Sequence, residues 1–253
     1  MEQLSKKMEI QGISKTYFNQ KDYFTAIEDV SFDVQDGEFL VLLGPGRCGK
    51  TVLLNIIAGL EEKTTGSVLY DGREIKGVNP EVGMVFQKTA LMPFKTVMEN
   101  VELGLKFAGM KKKERREICQ HYIDLVGLQG FENAYPAALS GGMKQRVGIA
   151  RAYANNPKVL IMDEPFGALD AQTRYAMQNE ILRIWEQEKR TIIYVTNNIE
   201  EAIYLGSRIV LLTQCPAKVK AEYPIDLPRP RNMVSPEFMA LRTRISDNTD
   251  LSV

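Results

Sequence analysis

Short apolar runs recur along the chain, separated by turn residues or by segments with helical spacing. A run of roughly four to eight apolar residues between turn signals is typical of a strand buried on both faces. This pattern predicts buried strands at Phe39–Leu43, 158–162, 191–195 and Arg208–Leu212. Alternating segments at 26–34 and 66–70, with turns at Asp36-Gly37 and Asp71-Gly72, predict a β-rich part over residues 8–70.

Helical spacing dominates the middle of the chain, about residues 88–154. It predicts helices over 97–107 and 111–126, and the charge run that opens the second is interpreted as a solvated helix start. A stretch rich in Pro and Arg at 223–231 predicts extended backbone before a short helix from Ser235. These elements predict an α/β fold with a β-rich amino-terminal part and an inserted helical part.

Composition narrows the class of protein. The 253 residues are 44% hydrophobic, which suits one α/β domain with an inserted lobe as well as two domains. No stretch approaches the roughly 18–20 apolar residues of a membrane span, and residues 1–7 lack an apolar signal core, so we expect a soluble cytosolic chain. Basic and acidic residues both number 32, so we expect no nucleic-acid partner. Three widely spaced cysteines argue against disulfides and against a cysteine metal site.

The first candidate chemistry directly follows the strand predicted at Phe39–Leu43. Residues 44–51, GPGRCGKT, fit the pattern of a phosphate-binding loop, and a helix-like stretch follows at 50–60. Backbone N–H groups of such a loop and the positive end of the helix dipole converge on phosphate oxygens. We expect Lys50 to reach the terminal phosphates and the Thr51 hydroxyl to bind Mg²⁺. Alkylation of Cys48, inside the loop, is hypothesised to block nucleotide binding.

Two carboxylates follow the strand predicted at 158–162. Asp163 and Glu164 are expected at the carboxyl edge of that strand, where open α/β sheets bind ligands. Asp163 suits Mg²⁺ bound through water. Glu164 suits polarisation of the water that attacks a γ-phosphate, because phosphoryl transfer requires mainly positioning and charge neutralisation.

A third motif lies between these two. Ser140 can cap a helix whose apolar positions Met143, Val147, Ala150 and Ala154 recur at helical spacing. The N–H groups of Gly141 and Gly142 would then point towards an anion.

With these motifs in this order, the chain resembles the ATP-binding cassette family over nearly all of residues 8–227. The resemblance implies a P-loop NTPase (RecA-like) core within a domain at 8–235, carrying an N-terminal antiparallel β subdomain. It also implies an inserted α-helical subdomain at about 88–154 and a tail at 236–253. ATP and Mg²⁺ are the implied cofactors, and the signature of one subunit completes the ATP site of a second subunit.

The resemblance assigns residue roles motif by motif. The ATP-binding loop comprises nine residues: Gly44, Pro45, Gly46, Arg47, Cys48, Gly49, Lys50, Thr51 and Val52. The signature comprises Leu139, Ser140, Gly141, Gly142 and Gln145. Glu164 resembles the catalytic glutamate, Gln87 the glutamine that senses the γ-phosphate, and Asp163 joins Thr51 and Gln87 as Mg²⁺ ligands. Asp170 resembles the aspartate that couples the two ATP sites, and Tyr17 the aromatic that stacks on adenine, with Phe18 and Tyr23 as rivals.

The chain departs from the family pattern at three positions. Asn197 stands where the family usually has a histidine that contacts the γ-phosphate, while His121 is interpreted as a surface or packing residue. An asparagine amide is shorter and does not titrate near neutral pH, and losing one preorganised donor can cost roughly 3–4 kcal/mol, so slow hydrolysis is expected. Arg47 replaces a glycine and loses its freedom at positive φ, but adds a cation; Val52 replaces a threonine hydroxyl. The sign of their net effect on ATP affinity stays open.

The resemblance also implies partners. The chain is expected to form a homodimer or heterodimer of ATPase subunits on the inner face of the membrane. The segment after Gln87 is expected to help form a groove for a helix of transmembrane permease subunits, and an extracytoplasmic solute-binding protein would act indirectly. The tail at 225–231 resembles importer ATPases for nitrate, sulfonate and taurine, although solute choice lies in other proteins.

Two functions of different classes stay open. The first is an importer ATPase that hydrolyses ATP at Glu164. The second is a regulatory cassette that closes on ATP but hydrolyses little, paired with a more active sister subunit. Glu164 and the complete signature favour the first, whereas Asn197 and Arg47 keep the second open. A soluble cassette of translation or DNA repair is weaker, because such proteins usually join two cassettes or insert a long coiled coil.

Overall fold

A computed structural model describes residues 5–19, 22–167 and 169–249. The chain divides into two compact units, Met1–Asn79 with Arg190–Val253, and Pro80–Lys189. Residues 1–4, which belong to the segment predicted to lack a signal core, and residues 250–253 of the predicted tail lie outside the described residues.

Strands and helices alternate along the chain. The strands are β1 (Lys6–Phe18), β2 (Tyr23–Gln35), β3 (Phe39–Leu43), β4 (Thr65–Tyr70), β5 (Arg73–Glu74), β6 (Val82–Val85), β7 (Val159–Asp163), β8 (Thr191–Thr196), β9 (Arg208–Leu212) and β10 (Val219–Pro224). The helices are α1 (Lys50–Ile57), α2 (Val97–Val101), α3 (Leu103–Phe107), α4 (Lys112–Leu125), α5 (Gly141–Ala154), α6 (Ala171–Glu188), α7 (Ile199–Leu205) and α8 (Pro236–Asn248), with a 3₁₀ turn at Pro136–Ala138. The predicted α/β class is confirmed.

The first unit contains an antiparallel sheet of order β2-β1-β4-β5 and a second group of strands of order β10-β9-β3-β8. Every residue of β3 and β8 is buried, as their continuous apolar runs predict. β3 pairs in parallel with β8 and with β9, and Leu43 lies opposite both Thr196 and Leu211. Because these parallel strands end together, the residues that follow β3 and β8 share one edge of the sheet.

The second unit contains the parallel pair β6 and β7, in which Val85 lies opposite Met162. Helices α2 and α4 pack against α5. The single helix predicted at 97–107 is wrong, because the structure has two short helices that meet at Glu102. The carboxylate of Glu102 is buried and accepts a hydrogen bond of 2.9 Å from Arg115 of α4.

One further predicted element differs from the structure, and some elements have no prediction. The helix expected at 50–60 ends at Ile57, because Gly59 turns the chain with a φ of 71°. A Cβ at Gly59 would lie 1.9 Å from the carbonyl oxygen of Gly77, so the turn cannot hold another residue without movement. The hydrophobic pattern also did not predict β6, α6 or α7.

The carboxyl-terminal helix begins where the sequence predicts it. The Ser235 hydroxyl accepts a hydrogen bond of 3.2 Å from the Phe238 N–H, which is an N-cap. Phe238 and Ile245 are fully buried, so α8 is anchored by an apolar face. Among the described residues, every helix falls short of the length and apolarity that crossing a bilayer requires.

Candidate functional site

The predicted phosphate loop joins β3 to α1 in the first unit. Its lysine is 5% exposed, and the Lys50 ammonium donates hydrogen bonds to the carbonyl oxygens of Gly44 at 2.9 Å and Pro45 at 2.6 Å. The loop therefore encloses a cation beside the amino terminus of a helix. An anion placed there meets a positive charge, the helix dipole and backbone N–H groups.

Glycine is required at only some positions of this loop. Gly49 has a φ of 109°, and a Cβ there would lie 2.7 Å from the carbonyl oxygen of Ala26. At Gly44 an added Cβ would lie 3.2 Å from Leu212 Cβ. Gly46 has open space around it, whereas its neighbour Arg47 adopts the left-handed conformation at a φ of 62°. Glycine therefore stands at position 46, where the backbone does not require it, while arginine stands at position 47, where the left-handed conformation favours glycine.

This mismatch predicts that Arg47→Gly stabilises the protein. A non-glycine residue in the left-handed region costs roughly 1–2 kcal/mol, part of which is offset by the greater freedom of glycine in the unfolded chain. We expect the free energy of unfolding to rise by about 0.5–1 kcal/mol, measured by urea denaturation.

Arg47→Ala is the matched control, because it removes the guanidinium and keeps the Cβ at positive φ. We expect this variant to gain little. Equal gains in the two variants would mean that the charge of Arg47, and not its backbone, destabilises the loop.

Cys48 lies inside the loop and is 1% exposed. Burial raises the pKa of its thiol, while the nearby Lys50 ammonium acts in the opposite direction. Reaction of a thiol proceeds through the thiolate, so alkylation at Cys48 should be slow and should require the loop to open. Cys215 is exposed and offers a faster site. The proposed block of nucleotide binding by Cys48 alkylation stays a prediction.

Asn197 lies at the same sheet edge as the phosphate loop. The Gly44 N–H donates to the Thr196 carbonyl at 3.4 Å, and Asn197 follows Thr196 in an exposed position. Its neighbour Asn198 caps α7, because its side-chain oxygen accepts a 2.8 Å hydrogen bond from the Glu201 N–H. The fold thus brings Asn197 and the loop together within the first unit.

The three aromatic candidates for adenine differ in how they are held. The Tyr17 hydroxyl donates to Glu61, and the Lys15 ammonium lies 4.8 Å from the centre of its ring. Burial and then Glu61 raise the pKa of Tyr17 to about 12, so it stays neutral at physiological pH. Tyr17 is 39% exposed, against 78% for Phe18 and 75% for Tyr23, so it is the most firmly anchored of the three.

In the second unit, the ends of β6 and β7 bring Gln87 and the two carboxylates to one edge. Asp163 is buried at the end of β7, and Glu164 follows at a φ of 40°. The Gly167 N–H donates to the Glu164 carbonyl at 3.1 Å and closes a turn. A Cβ on Gly167 would lie 3.7 Å from Gln87 Nε2 and 3.9 Å from Glu164 Cβ, so the three residues are neighbours.

The left-handed backbone at Glu164 has an energetic cost. A non-glycine residue in this region costs roughly 1–2 kcal/mol, and such strain clusters at functional sites. Nothing in the sequence indicates this strain, because glutamate is not a residue that favours the left-handed conformation.

The signature motif forms the capped helix start that the sequence predicts. The Ser140 hydroxyl accepts a 3.2 Å hydrogen bond from the Met143 N–H at the start of α5. A Cβ at Gly142 would lie 2.9 Å from Thr173 Cγ2, so close packing requires glycine there. The buried Gln145 amide donates to the Pro165 carbonyl and so ties the signature helix to the turn that follows Glu164.

Asp170 caps α6 next to the signature. Its carboxylate accepts a 3.0 Å hydrogen bond from the Thr173 N–H, and this bond lowers the pKa of Asp170. Thr173 therefore bonds to Asp170 through its N–H and lies beside Gly142 through its methyl group. The arrangement gives a direct physical link between two motifs that the sequence separates by about thirty residues.

Two further residues hold the segment that follows Gln87, and the sequence did not identify them. The buried Asn100 accepts from the Met92 N–H at 2.8 Å and donates to the carbonyls of Met92, Lys95 and Thr96. Arg151 donates to the carbonyls of Thr89 at 2.7 Å and Ala90 at 3.0 Å, and burial lowers its pKa. A polar residue on the apolar face of a helix is the only sequence signal for such a role.

The residues assigned to Mg²⁺ are oxygen donors, which this ion prefers. Within the described ranges, no group of three or more acidic, His or Cys side chains could hold a metal ion alone. Mg²⁺ usually binds through one or two carboxylates together with waters and substrate phosphates. The Thr51 hydroxyl of the first unit, and the Gln87 amide oxygen and Asp163 carboxylate of the second unit, are each oxygen donors of this kind.

The motifs, their placement and the fold define a class of protein. Residues 27–167, more than half of the chain, match the family profile of ABC transporters. The chain belongs to the ABC transporter family, as the sequence resemblance predicts.

Curated relatives cover almost the whole chain. An uncharacterised ABC transporter ATP-binding protein of Methanocaldococcus jannaschii is 48% identical over 239 residues, 94% of this chain and 90% of the relative. A taurine import ATP-binding protein of Rhizobium johnstonii is 44% identical, covering 87% of each chain. A nitrate import ATP-binding protein of Synechocystis is 40% identical, covering 94% of this chain and 93% of the relative.

Solved structures agree with this assignment. The dimeric ABC transporter cassette MJ0796 is 33% identical, with a TM-score of 0.77, and covers 87% of this chain and 100% of its own. The same cassette in a post-hydrolysis state, bound to ADP and Pi, has a TM-score of 0.76 at 32% identity. The predicted P-loop NTPase fold is therefore confirmed.

Proposed function

We propose that this chain is the ATP-binding and ATP-hydrolysing subunit of an ABC importer. The observation that carries the proposal is the phosphate loop, which places the buried Lys50 ammonium and the amino terminus of α1 at the carboxyl end of the central strand β3. The names of the taurine and nitrate relatives support import as the direction of transport.

The residue roles in the proposed reaction follow from charge and reach. Lys50 exchanges its own loop carbonyls for the terminal phosphates of ATP, and the remaining loop residues donate backbone N–H groups. Thr51 and Asp163 would hold Mg²⁺, which neutralises charge on the phosphates when it is bound. Glu164 polarises the attacking water, while Gln87 and Asn197 contact the γ-phosphate. Tyr17 stacks on adenine.

A second cassette subunit is part of the proposal. Ser140, Gly141 and Gly142 lie at the start of α5, where backbone N–H groups and the helix dipole attract an anion. We propose that they contact the γ-phosphate of ATP held by the other subunit, and that Asp170 couples the two sites. The dimeric state of the cassette MJ0796 supports this assembly.

Permease subunits are the proposed partners of the segment after Gln87. This segment exposes two large apolar side chains, Met92 and Phe94, the second of them 91% exposed, and Phe86 is exposed just before Gln87. Asn100 and Arg151 fix its backbone, so the apolar groups are presented on a rigid loop. A rigid apolar surface suits a helix of a membrane protein, which would place the chain on the inner face of the membrane.

The transported solute is proposed as a small molecule or ion of the nitrate, sulfonate or taurine kind. Only the names of the relatives support this solute class, because no residue of this chain contacts the solute in such an assembly. An extracytoplasmic solute-binding protein encoded with the chain would supply the test, through its own ligand affinity.

The proposal predicts measurable turnover by the purified chain with Mg-ATP. We expect Asn197→His to raise kcat by roughly tenfold or more, because a longer, titratable donor replaces the amide. Steady-state phosphate release at several protein concentrations measures both kcat and the dependence on dimer formation. Asn198→His is unsuitable as a control, since Asn198 caps α7; His121→Asn is suitable, because it changes an exposed residue remote in sequence from each motif.

A second function is favoured by Asn197 itself. If the wild type is nearly silent and Asn197→His restores turnover, the chain is a nucleotide-gated regulatory cassette whose hydrolysis is attenuated. If neither the wild type nor Asn197→His hydrolyses ATP, the importer ATPase function is wrong, and if neither binds ATP, both functions are wrong.

A further inference from the structure

Helix α7 is a short helix that starts directly after Asn197 and Asn198, and its two ends are held by different groups. The last four carbonyl groups of any α-helix lack partners within the helix. In α7 these are the carbonyls of residues 202–205. Partners for three of them come from the Pro- and Arg-rich stretch at 223–231, which the sequence predicts as extended backbone and to which the proposed reaction gives no role.

Two arginines of this stretch satisfy three of the four carbonyls. Arg231 Nη1 donates to Ile203 and, at 3.2 Å, to Tyr204, while Arg229 Nη2 donates to Leu205. The remaining carbonyl, of Ala202, accepts a 3.0 Å hydrogen bond from the Gly206 N–H. Every carbonyl at the carboxyl end of α7 therefore has a donor.

Arg231 is unusual because its charge is buried among carbonyls. It is 7% exposed, and its other nitrogens donate to the carbonyls of Leu227 at 3.2 Å and Ile225 at 3.4 Å. Its Nη1 also donates to the Gly206 carbonyl at 2.6 Å. Among the described residues no carboxylate contributes to the pKa of Arg231, so backbone carbonyls and the negative end of the α7 dipole stabilise the cation. Burial lowers the pKa of Arg231 to about 10, which keeps it charged at neutral pH.

The opposite end of α7 lies beside the candidate site. Asn198 caps the helix, and its N–H donates to the Thr196 hydroxyl at 3.0 Å. The Thr196 hydroxyl in turn contacts the buried Glu201 carboxylate, and the Thr196 carbonyl accepts from the Gly44 N–H. Seven helical residues span about 10 Å, so α7 connects the arginines rigidly to Asn197.

We propose that Arg231, assisted by Arg229, is a positioning residue that holds α7 and thereby fixes Asn197 beside the phosphate loop. The inference rests on the proposed hydrolytic function. In this view Arg229 and Arg231 determine how closely Asn197 approaches the γ-phosphate, and they affect turnover more than ATP binding.

The test compares three substitutions at Arg229 and Arg231. Arg231→Met keeps the apolar stem and removes all donors, Arg231→Lys keeps the charge, and Arg229→Met removes the bond to Leu205. We expect Arg231→Met to lower kcat about tenfold while the Kd for ATP, measured without Mg²⁺, changes less than about twofold. Arg231→Lys should recover part of kcat. Arg229→Met should lower kcat by less than Arg231→Met does, and it provides the test if Arg231→Met does not fold.

Arg242→Met is the matched control. Arg242 also binds α7, donating to Glu200 at 2.8 Å, but both side chains are exposed, so its loss should leave kcat unchanged. Val68→Ala, in the separate antiparallel sheet, serves as a variant of lowered stability. A loss of kcat in Arg231→Met that Val68→Ala reproduces at an equal loss of Tm overturns the inference.

A double-mutant cycle with Asn197→Ala tests whether the effect passes through Asn197. We expect Arg231→Met to cost little further kcat in that background, whereas fully additive losses overturn the inference. Hydrogen exchange supplies a readout independent of turnover: amides of 197–206 should exchange faster in Arg231→Met than in wild type. If the wild type does not hydrolyse ATP, only the proposed function is wrong. If amide exchange at 197–206 is the same in Arg231→Met and wild type, only the positioning role is wrong.

Discussion

Glu164→Gln is expected to lower the kcat of ATP hydrolysis by about 10²–10³ and to change ATP affinity by less than about threefold. Removing one group aimed at the charge of a transition state costs this much, whereas the phosphate contacts of the ground state do not involve Glu164. Glutamine has nearly the shape of glutamate but cannot accept a proton from water. Single-turnover phosphate release and equilibrium ATP titration measure the two quantities separately.

The same variant tests the backbone strain at this position. The glutamine that Glu164→Gln introduces would occupy the same left-handed conformation, at a φ of 40° in the wild type, so we expect an unchanged free energy of unfolding. Glu164→Gly should relieve the strain and unfold at higher denaturant concentration, while remaining inactive. Glu114→Gln, the same chemical change at an exposed position of α4, is the control for loss of charge. Retained turnover in Glu164→Gln would assign the water to another residue.

The hydrophobic pattern predicts the fold where burial alone decides it. β3, β7, β8 and β9 are apolar runs because both of their faces are covered, and a covered strand leaves few residue choices. The caps at Ser140 and Ser235 are equally visible, because a hydroxyl bonds to an N–H three residues away. Signals of this kind are local in sequence.

What the sequence does not show depends on contacts between distant segments. The break between α2 and α3 occurs at Glu102, whose carboxylate bonds to Arg115 thirteen residues later. The guanidinium of Arg231 reaches carbonyls more than twenty residues earlier, although the pattern around it indicates only extended backbone. The residue type at Glu164 gives no indication of its φ of 40°, whereas the glycine that Arg47 replaces in the family pattern already points to the φ of 62° at Arg47.

The candidate site also has parts that the sequence shows and parts that it does not show. The motifs identify the residues of the phosphate loop, the two carboxylates and the signature. The supporting residues Asn100 and Arg151 were missed because they bond to backbone carbonyls, and a carbonyl acceptor leaves no mark in the sequence. The roles of the motif residues remain predictions until variants are measured.

Gly49→Ala is expected to weaken ATP binding at least about 30-fold and to lower the free energy of unfolding by at least about 2 kcal/mol. The new Cβ would lie 2.7 Å from the Ala26 carbonyl oxygen, a distance that forces the backbone to move. Alanine also cannot adopt a φ of 109° without strain. Because Gly49 immediately precedes Lys50 and the first turn of α1, any shift moves the lysine and the N–H groups away from the phosphates.

Gly46→Ala is the matched control for this loop, since its added Cβ meets no atom within 4 Å. We expect it to bind ATP within about twofold of wild type and to be as stable, because its backbone stays outside the left-handed region. Fluorescent-nucleotide titration gives the affinity and urea denaturation gives the stability. If Gly49→Ala binds ATP normally, the loop adapts to the added Cβ, and the closeness of Ala26 does not determine the geometry that holds phosphate.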